Sequence, residues 1–170
     1  MSALQNHPWQ ELPLSTKKGT RIPNEIPPPL PPAKVAFHTE SYRKRFPNSK
    51  LRSLDTAYNC MGMVFACRRT AIEPEHFDLI SSDDEYRKLG PEETPQGGDV
   101  AVYRHTFAVD VVHVGVVLFV GPVLESVQRI TVLSKWGQFG EYCHDVRELP
   151  ESLGDPIRGL QFWTHRKGVR

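Results

Sequence analysis

Two short runs hold side chains whose types and placement could do chemistry. Tyr58-Asn59-Cys60-Met61-Gly62-Met63-Val64-Phe65-Ala66 puts a cysteine near the start of an apolar helical segment. Downstream, His113-Val114-Gly115-Val116-Val117 puts a histidine at the head of a β-branched strand. A thiol at a helix N-terminus feels the positive end of the peptide dipoles and unpaired N–H groups, which favours thiolate. An imidazole on an adjoining strand would complete the ion pair that thiol acyl transfer uses. Gly62 is costly so early in a helix and signals a close approach to the backbone. Gly115 shares a strand face with His113 and Val117, and would clear room for a helix beside the imidazole. A cysteine or a histidine alone among apolar neighbours is ordinary core packing. Cys67 fits that description, Cys143 fits it or is half-exposed in a loop, and it is the pairing of Cys60 with His113 that carries a signal.

Holding those groups requires a helix and a sheet. Apolar spacing at Met61, Val64, Phe65 and Cys67 predicts a helix over 54–70, capped by Asp55 or Thr56. A cap at Tyr58 or Asn59 is the version that would put Cys60 at the helix start. A short basic helix is expected at Ser41–Arg45, and a capped helix from Ser81 to Gly90, with Pro74 closing the region before it. From Asp99 onward the period changes to two. Asp99–Arg104, Val111–Val120, Arg129–Trp136 and Gly159–His165 read as strands, with turns at His105–Asp110 and Gly121-Pro122. Helices followed by an antiparallel meander make the class α+β.

Residues 1–36 differ in character from the domain that follows at 37–170. Ile22-Pro23-Asn24-Glu25-Ile26-Pro27-Pro28-Pro29-Leu30-Pro31-Pro32 favours polyproline II over helix or ladder. It reads as an extended arm draped on the domain, or as a ligand for an aromatic groove in a protein partner.

The bulk properties set limits. A chain of 170 residues with a formal charge of +1 forms one ordinary domain and has no overall field for nucleic acid or anionic lipid. Three irregularly placed cysteines make no disulfide framework. On a helix, Cys60 and Cys67 would lie roughly 10 Å apart along the axis, too far to bridge. Reduced thiols and an N-terminus without a basic-then-apolar pattern predict a cytoplasmic protein as synthesised. The apolar run around Val111–Val120 is too short to span a bilayer. Cys60, Cys67, Cys143, His113 and His144 are zinc-ligand types, but no pair has ligand spacing, so neither metal nor cofactor is expected. Basic clusters at Arg43-Lys44-Arg45 with Lys50 and Arg52, and at His165-Arg166-Lys167, read as solvated surface.

Taken together, Asn59-Cys60-Met61-Gly62-Met63-Val64, Gly98-Asp99-Val100-Ala101-Val102-Tyr103 and His113-Val114-Gly115-Val116-Val117 resemble the three landmarks of NlpC-type papain-fold peptidases. In that family the nucleophile opens a helix in D-C-S-G-h-V, a P-G-D-h strand follows, and the base lies in H-V-G-h-h. Order and spacing agree over about residues 55–136. Asn59 and Met61 depart from the family's acid and serine. The Ser134-Lys135-Trp136-Gly137 run, followed by Tyr142-Cys143-His144, also resembles small bacterial papain-fold domains. The resemblance implies a papain-like fold with N-terminal helices packed on an antiparallel sheet. It implies Cys60 as nucleophile, His113 as base and Ser134 as the residue orienting it, with His144 or Glu125 as substitutes. The implied reaction is amide hydrolysis through an acyl-enzyme, for instance on a peptidoglycan stem peptide reached by a non-Sec export route. The alternative is a non-catalytic papain-fold binding or adaptor module in an effector, immunity or defence setting.

Overall fold

The computed structural model describes residues 11–105, 110–124 and 127–167. Its helices are α1 (Pro32–Arg45), α2 (Cys60–Phe65) and α3 (Phe77–Asp83). Its strands are β1 (Lys50–Ser53), β2 (Arg87–Lys88), β3 (Val100–Arg104), β4 (Val111–Leu124), β5 (Val127–Lys135), β6 (Glu141–Asp145) and β7 (Leu160–Thr164). The strands form one seven-stranded antiparallel sheet in the order β1-β6-β5-β4-β3-β7-β2. The class is α+β, as the change of period along the chain predicts. No helix among the described residues is long and apolar enough to cross a membrane.

Alternation along β3 and β4 divides the core between two sheet faces. Val100, Val102, Val111 and Val114 pack under Cys60, Met61, Ala66, Ile72, Phe77 and Ile80, so α2 and α3 cover one face. Ala101, Tyr103, Val117, Ile130 and Val132 pack with Val146 and Leu149 on the other. There the Tyr103 hydroxyl donates to the Val146 carbonyl at 3.0 Å. Val146 directly follows β6, three places from β3 in the sheet, so this second face is concave. A flat sheet would separate such strands by about 14 Å. Tyr42 of α1 leans edge-on against Trp136 and Tyr142, closing the concavity at one end.

Four elements differ from the sequence reading. The helix expected over 54–70 is only Cys60–Phe65, because Cys67 and Arg68 take positive φ of 49° and 65° and turn the chain back. The helix expected at Ser81–Gly90 starts earlier, at Phe77, where Phe77 and Ile80 reach the core; Pro74 opens its preceding turn instead of closing the region. The basic helix at Ser41–Arg45 extends back to Pro32, since proline at the first helical position loses no intrahelical bond. Gly121-Pro122 is no turn. β4 runs through it with a register shift between Val120 and Val123, beyond the last β3 pairing at Val116, so the missing proline N–H costs no ladder bond on that side. Residues 106–109 of the other expected turn lie outside the described residues.

The N-terminal segment is built into the fold. Ile22 is buried, Thr16 and Thr20 donate to the Asp83 carboxylate, and Glu25 and Ala71 exchange backbone hydrogen bonds. The boundary expected at residue 36 falls within α1.

Candidate functional site

Asn59 sets the start of α2. Its Oδ1 accepts from the Gly62 N–H at 2.9 Å and the Ile72 N–H at 3.2 Å, while Nδ2 donates to the Ile72 carbonyl at 2.7 Å. One side chain thus caps the helix and ties it to the returning strand of chain. Cys60 follows as the first helical residue, the placement thiol chemistry would want. The environment is wrong for a thiolate, however. Cys60 is buried, and desolvation pushes the thiol up to about 11 against the pull of the Val114, Met61 and Cys60 backbone N–H groups. Six residues of helix supply too little dipole to offset that burial.

His113 does not meet Cys60. It lies opposite Tyr103 in the β3–β4 register, with ring centroids 5.5 Å apart, and Tyr103 belongs to the concave face. Its neighbour Val114 packs with Cys60 on the helix face. Successive strand residues point to opposite sides, so the sheet itself separates thiol from imidazole. His113 is fully buried and neither ring nitrogen has a hydrogen-bond partner. Burial, then the neighbouring His144, push it down to about 3, so it is a neutral imidazole at ordinary pH.

Ser134 and His144 share the concave face with His113, and they bond to each other instead of to it. His144 Nδ1 lies 2.7 Å from the Asp145 carbonyl, which can only accept, so Nδ1 carries the proton. Its Nε2 therefore accepts from the Ser134 hydroxyl at 2.7 Å, and Ser134 in turn accepts from Trp136 Nε1–H at 3.1 Å. His144 is held neutral, pushed down to about 4 by burial. Ser134 is thus committed to His144 and Trp136, and it does not orient His113. Glu125, the other substitute, lies outside the described residues.

Both signalling glycines have structural explanations. A Cβ on Gly62 would sit 1.7 Å from the Thr70 carbonyl oxygen, so the close approach is the chain's own return after α2. A Cβ on Gly115 would meet the Leu133 carbonyl oxygen and Ser134 Cβ at 3.0 Å each, so Gly115 makes room for β5, not for a helix.

The sequence reading missed a polar cluster on the helix face. Glu141 is buried; its Oε1 accepts from the Tyr58 hydroxyl and from Arg68 Nε at 2.5 Å each. Lys135 pairs with Glu141 across β5 and β6, is fully buried, and places Nζ 5.2 Å from the Tyr58 ring centroid with no hydrogen-bond partner. Burial pushes the Lys135 amine down to about 8, opposed by the charges of Glu141 and Asp55. The clue was available: alternation that turns Ser134 to one face turns Lys135 to the other.

The Gly98-Asp99 landmark is also structural. The Asp99 carboxylate accepts from Nε and one terminal nitrogen of Arg166 and from the Gln96 N–H, so the basic C-terminal stretch is clamped to the sheet rather than fully solvated. Two clefts lie elsewhere: one along residues 11–21, the other among Glu73, Glu75, Asp78, Asp110 and Val111. Neither is lined by Cys60, His113 or Ser134. Among the described residues, no three His, Cys, Asp or Glu side chains gather as a metal site.

No protein-family model, curated protein or solved structure matches the chain.

Proposed function

We propose that the chain is a non-catalytic binding module. In this reading its likeness to papain-fold amidases is confined to the order of elements: a cysteine opening a short helix, then an antiparallel sheet. The observation that carries the reading is the placement of Cys60 and His113 on opposite faces of β4. A thiol hydrolase needs thiol and imidazole within hydrogen-bond reach, with the thiolate supplied near neutral pH. Here the thiol is pushed up by burial, the imidazole is pushed down by burial, and the strand backbone stands between them. On the concave face Ser134, His144 and Trp136 serve one another, as structural groups do, and His113 stands beside them unbonded.

The test is turnover. Wild type and Cys60→Ala are incubated with muropeptides and with a fluorogenic peptide amide library. The binding-module reading expects no cleavage above the Cys60→Ala background. Turnover that Cys60→Ala abolishes would restore the hydrolase reading, with the pair brought together by a rearrangement of β4.

A further inference from the structure

We infer that the proline strap at residues 27–31 is a docking ligand, held in polyproline II form for an aromatic-lined, acid-rimmed groove on a partner protein. This rests on the binding-module reading and names the surface it would use.

The conformation follows from the residues. Pro27, Pro28, Pro29, Pro31 and Pro32 each have φ fixed near −65°, and every residue that precedes a proline is pushed to extended ψ. Pro31 shows the result, with φ −55° and ψ 132°. All peptide bonds among the described residues are trans. Polyproline II repeats every three residues, and from Pro27 to Pro31 exposure follows that period. Pro27 and Leu30 are half-buried, whereas Pro28 and Pro31, and beside them Pro29 and Pro32, are exposed. The Pro28–Pro31 ridge, a P-x-x-P pair with Pro29 beside it, therefore faces solvent while the Pro27–Leu30 edge rests on the protein.

The strap is fixed at both ends. Before it, Glu25 N–H donates to the Ala71 carbonyl at 3.0 Å and Ala71 N–H to the Glu25 carbonyl at 2.8 Å. After it, Pro32 begins α1, which is anchored by Tyr42 on Trp136 and by His38 stacked on Phe139 at 3.8 Å. A loose linker would gain nothing from such anchoring; a ligand gains a lower ordering cost on binding. Grooves that read this helix seat its ridges between aromatic rings. Lys34 adds direction. It is exposed two residues past Pro32, and among the described residues its ammonium forms no ion pair or hydrogen bond, only a 5.9 Å approach to the Phe139 ring. An acidic residue on the groove rim would complement it.

The experiment titrates the intact protein, by isothermal calorimetry and NMR, against four polyproline-reading probes: an SH3 domain, a WW domain, an EVH1 domain and profilin. The expected result is saturable binding to at least one probe with a Kd below about 100 μM. Pro28→Ala with Pro31→Ala should weaken it at least tenfold and Lys34→Glu at least threefold, with an unchanged thermal midpoint showing that the fold is intact. Absence of binding at 1 mM to all four, or binding that these variants leave unchanged, overturns the inference. Cys60 labelling, measured on the same sample, keeps the two claims apart. A strap that binds nothing beside an inert thiol removes this inference alone, whereas a fast-reacting Cys60 removes the binding-module reading.

Discussion

The two faces of the sheet solve the burial of polar groups in opposite ways. On the helix face, charge is buried with its counter-charge: Glu141 is bonded by Tyr58 and Arg68, and Lys135 stands across the ladder from it. On the concave face, titratable groups are buried neutral: His144 is satisfied by Ser134 and Asp145, and His113 has no partner. The first arrangement ties the chain on either side of α2 to the sheet through Tyr58 and Arg68, and the second sets imidazole rings among aromatics on the concave face. A cysteine placed on the first face and a histidine on the second therefore belong to separate devices, whatever their order in sequence.

The largest expected effect breaks the helix face sterically. Gly62→Ala drives a methyl group into the Thr70 carbonyl oxygen, and should cost about 4 kcal/mol, at the severe end for overpacking. Urea unfolding followed by tryptophan fluorescence reads this directly. Gly115→Ala, with 3.0 Å available on the concave face, should cost less than half as much.

Acid should break the concave face next. His113 and His144, at about 3 and about 4 in the fold, lie below the ordinary histidine value of 6.5. Between those values the unfolded chain binds more protons, so stability is full above pH 6.5 and falls as pH drops toward 4. Two such groups give a slope of about 3 kcal/mol per pH unit at most. Urea midpoints measured from pH 7.5 to 4.5 check the slope. His113→Leu should roughly halve it while leaving stability at pH 7.5 equal or higher, since it removes an unpartnered polar group.

Charge neutralisation sharpens the contrast. Glu141→Gln leaves Lys135 buried without its counter-charge and should cost about 2 kcal/mol, reduced because half-exposed Arg68 can turn to solvent. Adding Lys135→Met should recover more than half of that loss in a double-mutant cycle. Ser134→Ala is the mildest change. It strips His144 Nε2 and Trp136 Nε1 of a partner in a cluster already neutral, and should cost about 1 kcal/mol by the same urea assay.

What the sequence revealed and what it hid follow from the same alternation. β3, β4, β5 and β7 are legible because they are short runs rich in valine, other β-branched residues and aromatics. β6, Glu-Tyr-Cys-His-Asp, is opaque: its buried Glu141 and His144 gain their places from partners on other elements. β1 is exposed throughout most of its length and β2 has two residues, so neither leaves a hydrophobic signature. The cap at Asn59 and the helical start at Cys60 are written locally. Period two also correctly groups His113 with Gly115 and Val117. It does not say which face α2 will cover, because that is decided by Ile72, Phe77 and Ile80 arriving from a later segment. The candidate dyad failed at that single step, and the left-handed turn at Cys67 and Arg68 that brings the later segment back was equally invisible.

The most direct measurement is iodoacetamide alkylation of the native protein from pH 5.5 to 9.5, resolved by site with mass spectrometry, in wild type and His113→Ala. Exposed Cys67 should react fastest, buried Cys60 should stay slowest throughout, and His113→Ala should leave the Cys60 rate unchanged near neutral pH. Alkylation of Cys60 ahead of Cys67 at pH 6–7, suppressed by His113→Ala, would contradict that expectation and place thiol and imidazole in one ion pair.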